Sequence, residues 1–309
     1  MPIRPFIHTY SFRFRLMHDP DYSIVDLLDR AVRDGNPGIG LNVNGPGYRF
    51  LGGDAPEHVA MVAEAIRARG LMVDLETSGT DPVHLTRLLD LAELLGADHL
   101  RTYTRHEGER ARVVDATIGD LVEIAPVAAD RGIPVLLENH EEFTGVEVAR
   151  ILERVDHPSV GALYDYGNSM MLREDPLEAL DAMLPWTRAA HMKDHVVMHG
   201  MVCGVPTGEG VLPLAETTRR LIAAGVERIA FENVWSYTCP FHPREDGLPE
   251  EDDAQPVFRP HEDPADPAFF LRDVTAELAR DPARIIALEE ASYLRAERHV
   301  RALFGDPAT

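Results

Sequence analysis

Short apolar runs with the period of a strand alternate along the whole chain with longer segments whose apolar positions recur at helical spacing. Each pair occupies roughly 30–40 residues, the length of a βα unit. Strands are expected over residues 6–14, 38–43, 71–76, 99–103, 134–139, 160–166, 189–192 and 228–233. Between them lie helices with recognisable ends. Ser23 caps a helix that stops near Gly35; residues 56–69 end at Gly70, and 81–95 at Gly96. Further helices are expected over 115–129, 145–155, from Asp175 to a stop at Pro185, and over 214–224. Eight strands alternating with helices predict an α/β fold, a closed (β/α)8 barrel, with an open doubly wound sheet as the alternative pattern.

The rhythm breaks after the eighth strand. From Cys239 to Pro267 the chain is rich in Pro, Asp and Glu, and helical spacing resumes near Phe269 and over 284–304. One barrel domain over 1–309 is expected, with 235–269 as a lid or interface segment and 270–309 as a C-terminal helical part. No GxGxxG follows the first strand, and no Gly-Lys-Ser/Thr follows the stretch 200–210, so nucleotide-binding loops have no support.

Composition narrows the partners. With 52 acidic and 30 basic side chains, the formal net charge of −22 opposes nucleic acid and anionic membranes. The hydrophobic share of 45% suffices for a core. Two cysteines, Cys203 and Cys239, make no disulfide framework and suit a reducing compartment. Met1-Pro2-Ile3-Arg4-Pro5 does not open an apolar run of signal-peptide length, and no stretch approaches a membrane span. A cytoplasmic protein is expected.

In a barrel of this kind the C-terminal ends of the strands converge on one mouth. The fifth strand ends in Glu138, the sixth in Asp165, the seventh in His191 and the eighth in Glu232. Singly, such a carboxylate is a helix cap or a surface ion-pair partner, and such a histidine a structural residue. Together, on four consecutive strands, three carboxylates and one imidazole predict a divalent metal site, Mn²⁺ first, with Mg²⁺, Co²⁺ or Zn²⁺ accommodated. Six-coordination would leave two positions for substrate oxygens or water.

The segments carrying these residues, LLENH (Glu138), YDYGN (Asp165), HMKD (His191) and FEN (Glu232), resemble the sugar phosphate isomerase/epimerase family, the xylose isomerase-like barrels. Gly208-Glu209-Gly210 resembles that family's glycine-rich element after the seventh strand. The resemblance covers about residues 1–235. It implies a TIM barrel with one divalent metal and an isomerase or epimerase working through an enediolate of a keto sugar or related hydroxy-carbonyl compound. Glu138 and Glu232 would then serve as metal ligands and also as acid and base. Asn168 and Val197 stand where ketose 3-epimerases carry histidine and arginine. The ligands of the two-metal xylose isomerases are not found, and the acidic charge opposes the DNA-repair branch.

His140, two residues past Glu138, suggests a second outcome. The catalytic subunits of C-glycoside deglycosidases resemble this family and pair the metal with a histidine base, so the chain is also consistent with a lyase. Such an enzyme enolises a 3-keto-C-glycoside and expels the aglycone. A non-catalytic sugar-binding barrel is the third reading. Lys193, Asn168, Trp235 and His8 are candidate substrate contacts. Trp235 and Tyr237 either wall a sugar ring or pack the lid, and Asp194 either touches substrate or caps a turn. Glu76, Arg101, Tyr103 and Arg105 sit at strand ends, and strand alternation would set Arg13 opposite His8 and Tyr10. Cys239 and His242 have metal-like spacing that by itself assigns nothing, and His195 and His199 fall in the loop after the seventh strand. No basic cluster reads as a phosphate clamp, so an unphosphorylated carbohydrate is expected. The chain is expected to be a homo-oligomer, or to pair with a small subunit if it is a deglycosidase.

Overall fold

Caps and glycines cut the helices where the pattern predicts. Ser23 heads Ile24–Asp34 through a capping box with Asp26, and Gly35, at φ 75°, ends it in the left-handed conformation. Thr144 and Glu147 form the same box on Gly145–Val155. Pro56–Arg69 and Pro82–Leu95 run between the expected limits. The computed structural model describes residues 4–242 and 255–305.

In chain order the strands are β1 (Phe6–His8), β2 (Gly38–Asn42), β3 (Met72–Glu76), β4 (Ala97–Thr102), β5 (Val135–Glu138), β6 (Val160–Asp165), β7 (Thr187–Met192), β8 (Asp194–Met198), β9 (Met201–Val205), β10 (Arg228–Phe231) and β11 (Thr238–Pro240). The barrel is closed, in the order β1-β10-β7-β6-β5-β4-β3-β2, with every pairing parallel. This is the TIM barrel of the sequence reading, and the open sheet is excluded. Its staves are largely buried, with polar residues such as Glu76, His99 and Arg101 turned inward among the apolar ones. Register sets the site: Asp165 lies opposite His191, Glu76 opposite Arg101, and Ala230 opposite His191. Glu232 follows just beyond β10, its N–H donating to Met192 O at 2.9 Å.

Two local readings need correction. The first apolar run is a strand only as far as His8; Thr9–Phe12 is a 3-10 helix and Arg13–His18 an α-helix. Polar side chains turn the chain there. His8 Nδ1 accepts from Tyr10 N, and Ser11 Oγ donates to Phe231 O and accepts from Asn233 N. Alternation therefore does not govern Arg13, whose guanidinium bonds the carbonyls of Asn233 and Trp235. The stretch after β7 is not merely a loop: β8 and β9 form an antiparallel hairpin, and β11 joins it to make a second sheet. His199 (φ 53°) and Gly200 (φ 71°) supply the two left-handed positions of a tight hairpin turn.

Residues 243–254 of the expected lid segment lie outside the described residues. The helix Pro282–Leu303 returns to the barrel and is fastened by polar contacts. Glu289 accepts from Phe14 N and Arg15 N at 2.9 and 3.0 Å, and Ser292 Oγ donates to Asn233 Oδ1. Tyr293 is fully buried beside Phe12 and Phe231. Among the described residues no helix is long and apolar enough to cross a membrane.

Burial pushes the Glu289 carboxyl up to about 7, against Arg13 and the two backbone donors. A raised acid favours folding below its unfolded value, near 4, and that contribution is lost as pH rises through 7. Relative to the parent, a Glu289→Gln protein should therefore gain stability between pH 5 and pH 8, by on the order of 3 kcal/mol. Denaturant melts of both proteins across that range check this; parallel profiles would refute it.

Candidate metal centre and active site

Glu138, Asp165 and His191 meet at the mouth as predicted. One ligand atom from each lies within 4.8 Å of the other two, and all three residues are buried. His191 Nδ1 stands 3.3 Å from Glu138 Oε1 and 3.9 Å from Asp165 Oδ2. Glu232 reaches the group through Lys193, whose ammonium lies 2.8 Å from both Asp165 Oδ2 and Glu232 Oε2. Asp165 is fixed by its surroundings. Its Oδ1 accepts from the backbone of Gly167 and Asn168, while the Asn139 side chain brackets its peptide, so Oδ2 is the oxygen left for the site.

Beneath these residues lies a hub that the strand-end pattern under-read. Fully buried Glu76 accepts from His191 Nε2 at 2.9 Å, His8 Nε2 at 2.7 Å and Arg101 Nη2 at 2.6 Å. The proton of His8 sits on Nε2, because Nδ1 accepts from Tyr10 N–H. Glu76 likewise holds a proton on His191 Nε2 and leaves Nδ1 facing Glu138 and Asp165, the orientation a metal ligand needs.

The electrostatics fit a divalent cation. Glu76, Glu138, Asp165 and Glu232 are four buried carboxylates facing two fixed cations, Arg101 and Lys193. With His191 neutral, as a metal-ligating imidazole is, two negative charges are left over. Burial opposes ionisation of Glu138, yet Arg101 and His191 hold it well below the usual carboxylate range. Burial likewise opposes Glu232, which Lys193, His8 and His191 keep at about 2. Asp165 is raised, burial outweighing Lys193. Burial would lower His191, but Glu76 and Glu138 push it up to about 10, a sign of unmet negative charge. Glu138 Oε2, Asp165 Oδ2, His191 Nδ1 and Glu232 Oε2 are buried without a regular hydrogen bond among the described residues. Asp165 Oδ2 and Glu232 Oε2 are ion-paired with Lys193, so a cation held by all four expected ligands would take the place of that ammonium, while Glu138, Asp165 and His191 already converge.

A cavity of about 350 Å³ opens over this group, lined by Glu138, Glu232, His140, Asn168, Lys193 and Tyr237 among others. Asn168 Oδ1 lies 3.4 Å from Lys193 Nζ, and its Nδ2 has no partner among the described residues. His140 stacks on Tyr103 at 3.7 Å, and its Nδ1 meets Glu142 Oε2 at 2.9 Å. Arg105 donates to the Tyr103 hydroxyl.

Other expected contacts sit elsewhere. His8 is fully buried against Glu76 and 3.8 Å from Glu232, one layer behind the cavity. Trp235 does not wall the cavity: its indole is fully buried, donates to Pro267 O and packs edge-on to Phe14. Packing beneath the following segment is the alternative its position matches. Asp194 is the turn organiser, accepting from the backbone N–H of His195, Gly208, Gly210 and Leu212. Gly208-Glu209-Gly210 is therefore a brace. A Cβ on Gly210 would lie 2.2 Å from Asp194 Oδ1, and Glu209 pairs with Arg295 of the C-terminal helix through two bonds of 2.7 Å. His195 is buried on β8, and His199 occupies the hairpin turn.

Comparisons with known proteins agree with this fold. A family profile described as the xylose isomerase-like TIM barrel matches residues 83–255. The chain is 25% identical over 226 residues to the uncharacterized protein YihM of Escherichia coli (strain K12), covering 71% of this chain and 68% of YihM. It is 26% identical over 125 residues to a 3-oxo-isoapionate decarboxylase of Pectobacterium atrosepticum, covering 40% of this chain and 45% of that protein. The solved structure of the IolI protein with a zinc atom superposes with a TM-score of 0.67 at 12% identity, covering 99% of this chain and 100% of that one.

The hub generates an expectation of its own. Glu76→Gln keeps the volume but removes the charge that orients His191, so divalent-metal affinity should fall about 10–100-fold with the fold retained. Titration of metal-free protein with Mn²⁺, followed by calorimetry, measures this; unchanged affinity would remove Glu76 from the site's support.

Proposed function

The chain belongs to the xylose isomerase-like TIM-barrel family, and on that premise we propose that it is a divalent-metal-dependent isomerase or epimerase. Its substrate is a keto sugar or related hydroxy-carbonyl compound, converted by way of an enediolate. One observation carries the reading: Glu138, Asp165 and His191, from three neighbouring strand ends, bring one buried ligand atom each within 4.8 Å of one another, with Glu232 joined to them through Lys193. Glu138, Asp165, His191 and Glu232 would hold the ion, and a divalent cation there supplies Lewis-acid polarisation of a carbonyl. Mn²⁺ suits the three oxygen donors, and the zinc of the similar IolI structure indicates that this fold accepts a borderline cation as well.

The chain's own residues complete the chemistry. Glu138 and Glu232 both line the cavity, and both are kept ionised, by Arg101 and Lys193 respectively. Their strands are separated in the barrel by β6 and β7, so the carboxylates approach the substrate from different directions. One removes the proton beside the carbonyl and the other returns a proton to that carbon or its neighbour. Lys193 and the open Asn168 amide bind sugar hydroxyls. The Tyr103–His140 stack offers a flat wall. The segment after β10 serves as a lid over the mouth, with Tyr237 reaching the cavity from it. A reducing compartment, the cytoplasm, suits the free Cys203 and Cys239.

A second outcome of the same first step has its own support. Glu142 engages Nδ1 of His140, leaving Nε2 without a partner among the described residues, as a general base requires. In this reading His140 takes the proton next to the keto group of a 3-keto-C-glycoside, and the aglycone departs from the adjacent carbon. The similarity to a 3-oxo-isoapionate decarboxylase is in keeping with a 3-oxo substrate.

A Glu138→Gln, His191→Ala double variant should lose one equivalent of divalent metal relative to the parent, with its circular dichroism unchanged. Equal metal content in both proteins would refute the site. Glu138→Gln alone should lower turnover by at least about 10²-fold. Incubation of the metal-loaded parent with keto sugars and with a 3-keto-C-glycoside separates the outcomes. A rearranged sugar supports the isomerase, while free aglycone, lost in His140→Ala, supports the lyase. Turnover of neither substrate class would count against enolisation chemistry as such.

A further inference from the structure

We propose that Glu141, Cys239 and His242 form a second metal site, for zinc, at the rim of the same mouth. Glu141 lies in the loop after β5, Cys239 on β11, and His242 just beyond it. Cys239 Sγ is 3.4 Å from Glu141 Oε2 and 3.6 Å from His242 Nε2, and that nitrogen is 3.6 Å from the same carboxylate oxygen. Tetrahedral zinc, with bonds of about 2.3 Å to sulfur and about 2.0 Å to nitrogen and oxygen, requires donor–donor edges of about 3.3–3.6 Å. The observed S–O, S–N and N–O edges of 3.4, 3.6 and 3.6 Å fall within a few tenths of an ångström of one face of such a tetrahedron.

Two features separate chelation from the other use of a cysteine beside a histidine, an activated nucleophile. In a nucleophilic relay the carboxylate orients the imidazole through the ring nitrogen remote from the thiol. Here the carboxylate and the thiol both face Nε2, so all three groups converge on one point. Tyr237 donates its hydroxyl to the other Glu141 oxygen, which turns Oε2 towards the sulfur and the imidazole. A thiolate, an imidazole and a carboxylate are a donor set that zinc prefers to magnesium or calcium.

The site joins residues 98 positions apart along the chain. It would clip the strand β11, and with it the start of the segment that follows β10, to the loop leaving β5. Glu141 and Tyr237 line the cavity that also holds Glu138 and Glu232, so the zinc would set how far this side of the mouth opens. Three protein ligands leave a fourth position for water or a substrate atom.

Cobalt distinguishes this site from the central one, which has no sulfur donor. Metal-free parent titrated with Co²⁺ alone should take up two equivalents per chain and develop a near-ultraviolet sulfur-to-cobalt charge-transfer band. Cys239→Ser should lose the band and one equivalent. His242→Ala should do the same, and since its side chain is one-third exposed the change spares the core. The Glu138→Gln, His191→Ala double variant should keep the band and lose the other equivalent, so failure of one site is read separately from failure of the other. A folded parent that shows no band at saturating Co²⁺, or a band that survives in Cys239→Ser, would overturn the proposal.

Discussion

Four carboxylates shut inside a closed barrel must be compensated, because an unpaired buried charge costs several kcal/mol. Much of the arrangement at the mouth follows from that constraint. Arg101 reaches across to Glu76 and Glu138, and Lys193 stands between Asp165 and Glu232. Glu76 binds three partners from three other strands and so couples the orientation of His191 to the positions of β1 and β4. The two cations reduce the charge without cancelling it. A site poised in this way gains most from a divalent ion and little from a monovalent one.

Around that centre the fold spends its irregular parts on bracing. The hairpin β8–β9 extends the seventh stave above the barrel, and β11 fastens the next segment to it. Gly204 sits so close to the returning chain that a Cβ would stand 2.1 Å from Val234 O, which permits a backbone-on-backbone contact at the rim. The helix Pro282–Leu303 is tied to residues near the first stave through Glu289, to the end of β10 through Ser292, and to the loop after β9 through Arg295. The mouth is thus held from outside the barrel as well as from within.

Much of this was legible in the sequence wherever the determinant is local or periodic. Capping boxes and left-handed glycines act over a few residues, so Ser23, Gly70 and Gly96 mark helix ends without knowledge of the fold. Parallel register sets Asp165 opposite His191, with Glu138 opposite Leu163 and Glu232 two residues beyond Ala230, so the four strand ends come to the same mouth. What stayed hidden depends on distant partners. Glu76 reads as one more strand-end carboxylate until His8, His191 and Arg101, 68, 115 and 25 residues away, are placed around it. The period-2 reading of the first run failed at His8, where side-chain bonds to the backbone bend the chain, and Arg13 was misassigned with it. The hairpin did leave a trace in His199-Gly200 between two apolar runs, a turn signal masked by the glycines around it. Trp235 carried no indication of which side of the rim it would occupy.

The glycine pair held by Asp194 has a consequence for what the motif can signify. Gly208 and Gly210 are small because a carboxylate receives their backbone N–H groups and a histidine of the last helix presses on the first of them. None of these residues lines the cavity at the mouth. The motif works as a rivet in the frame, separate from the groups that face the cavity. Its presence in a barrel therefore speaks of how the rim is held and carries no information about the reaction run inside.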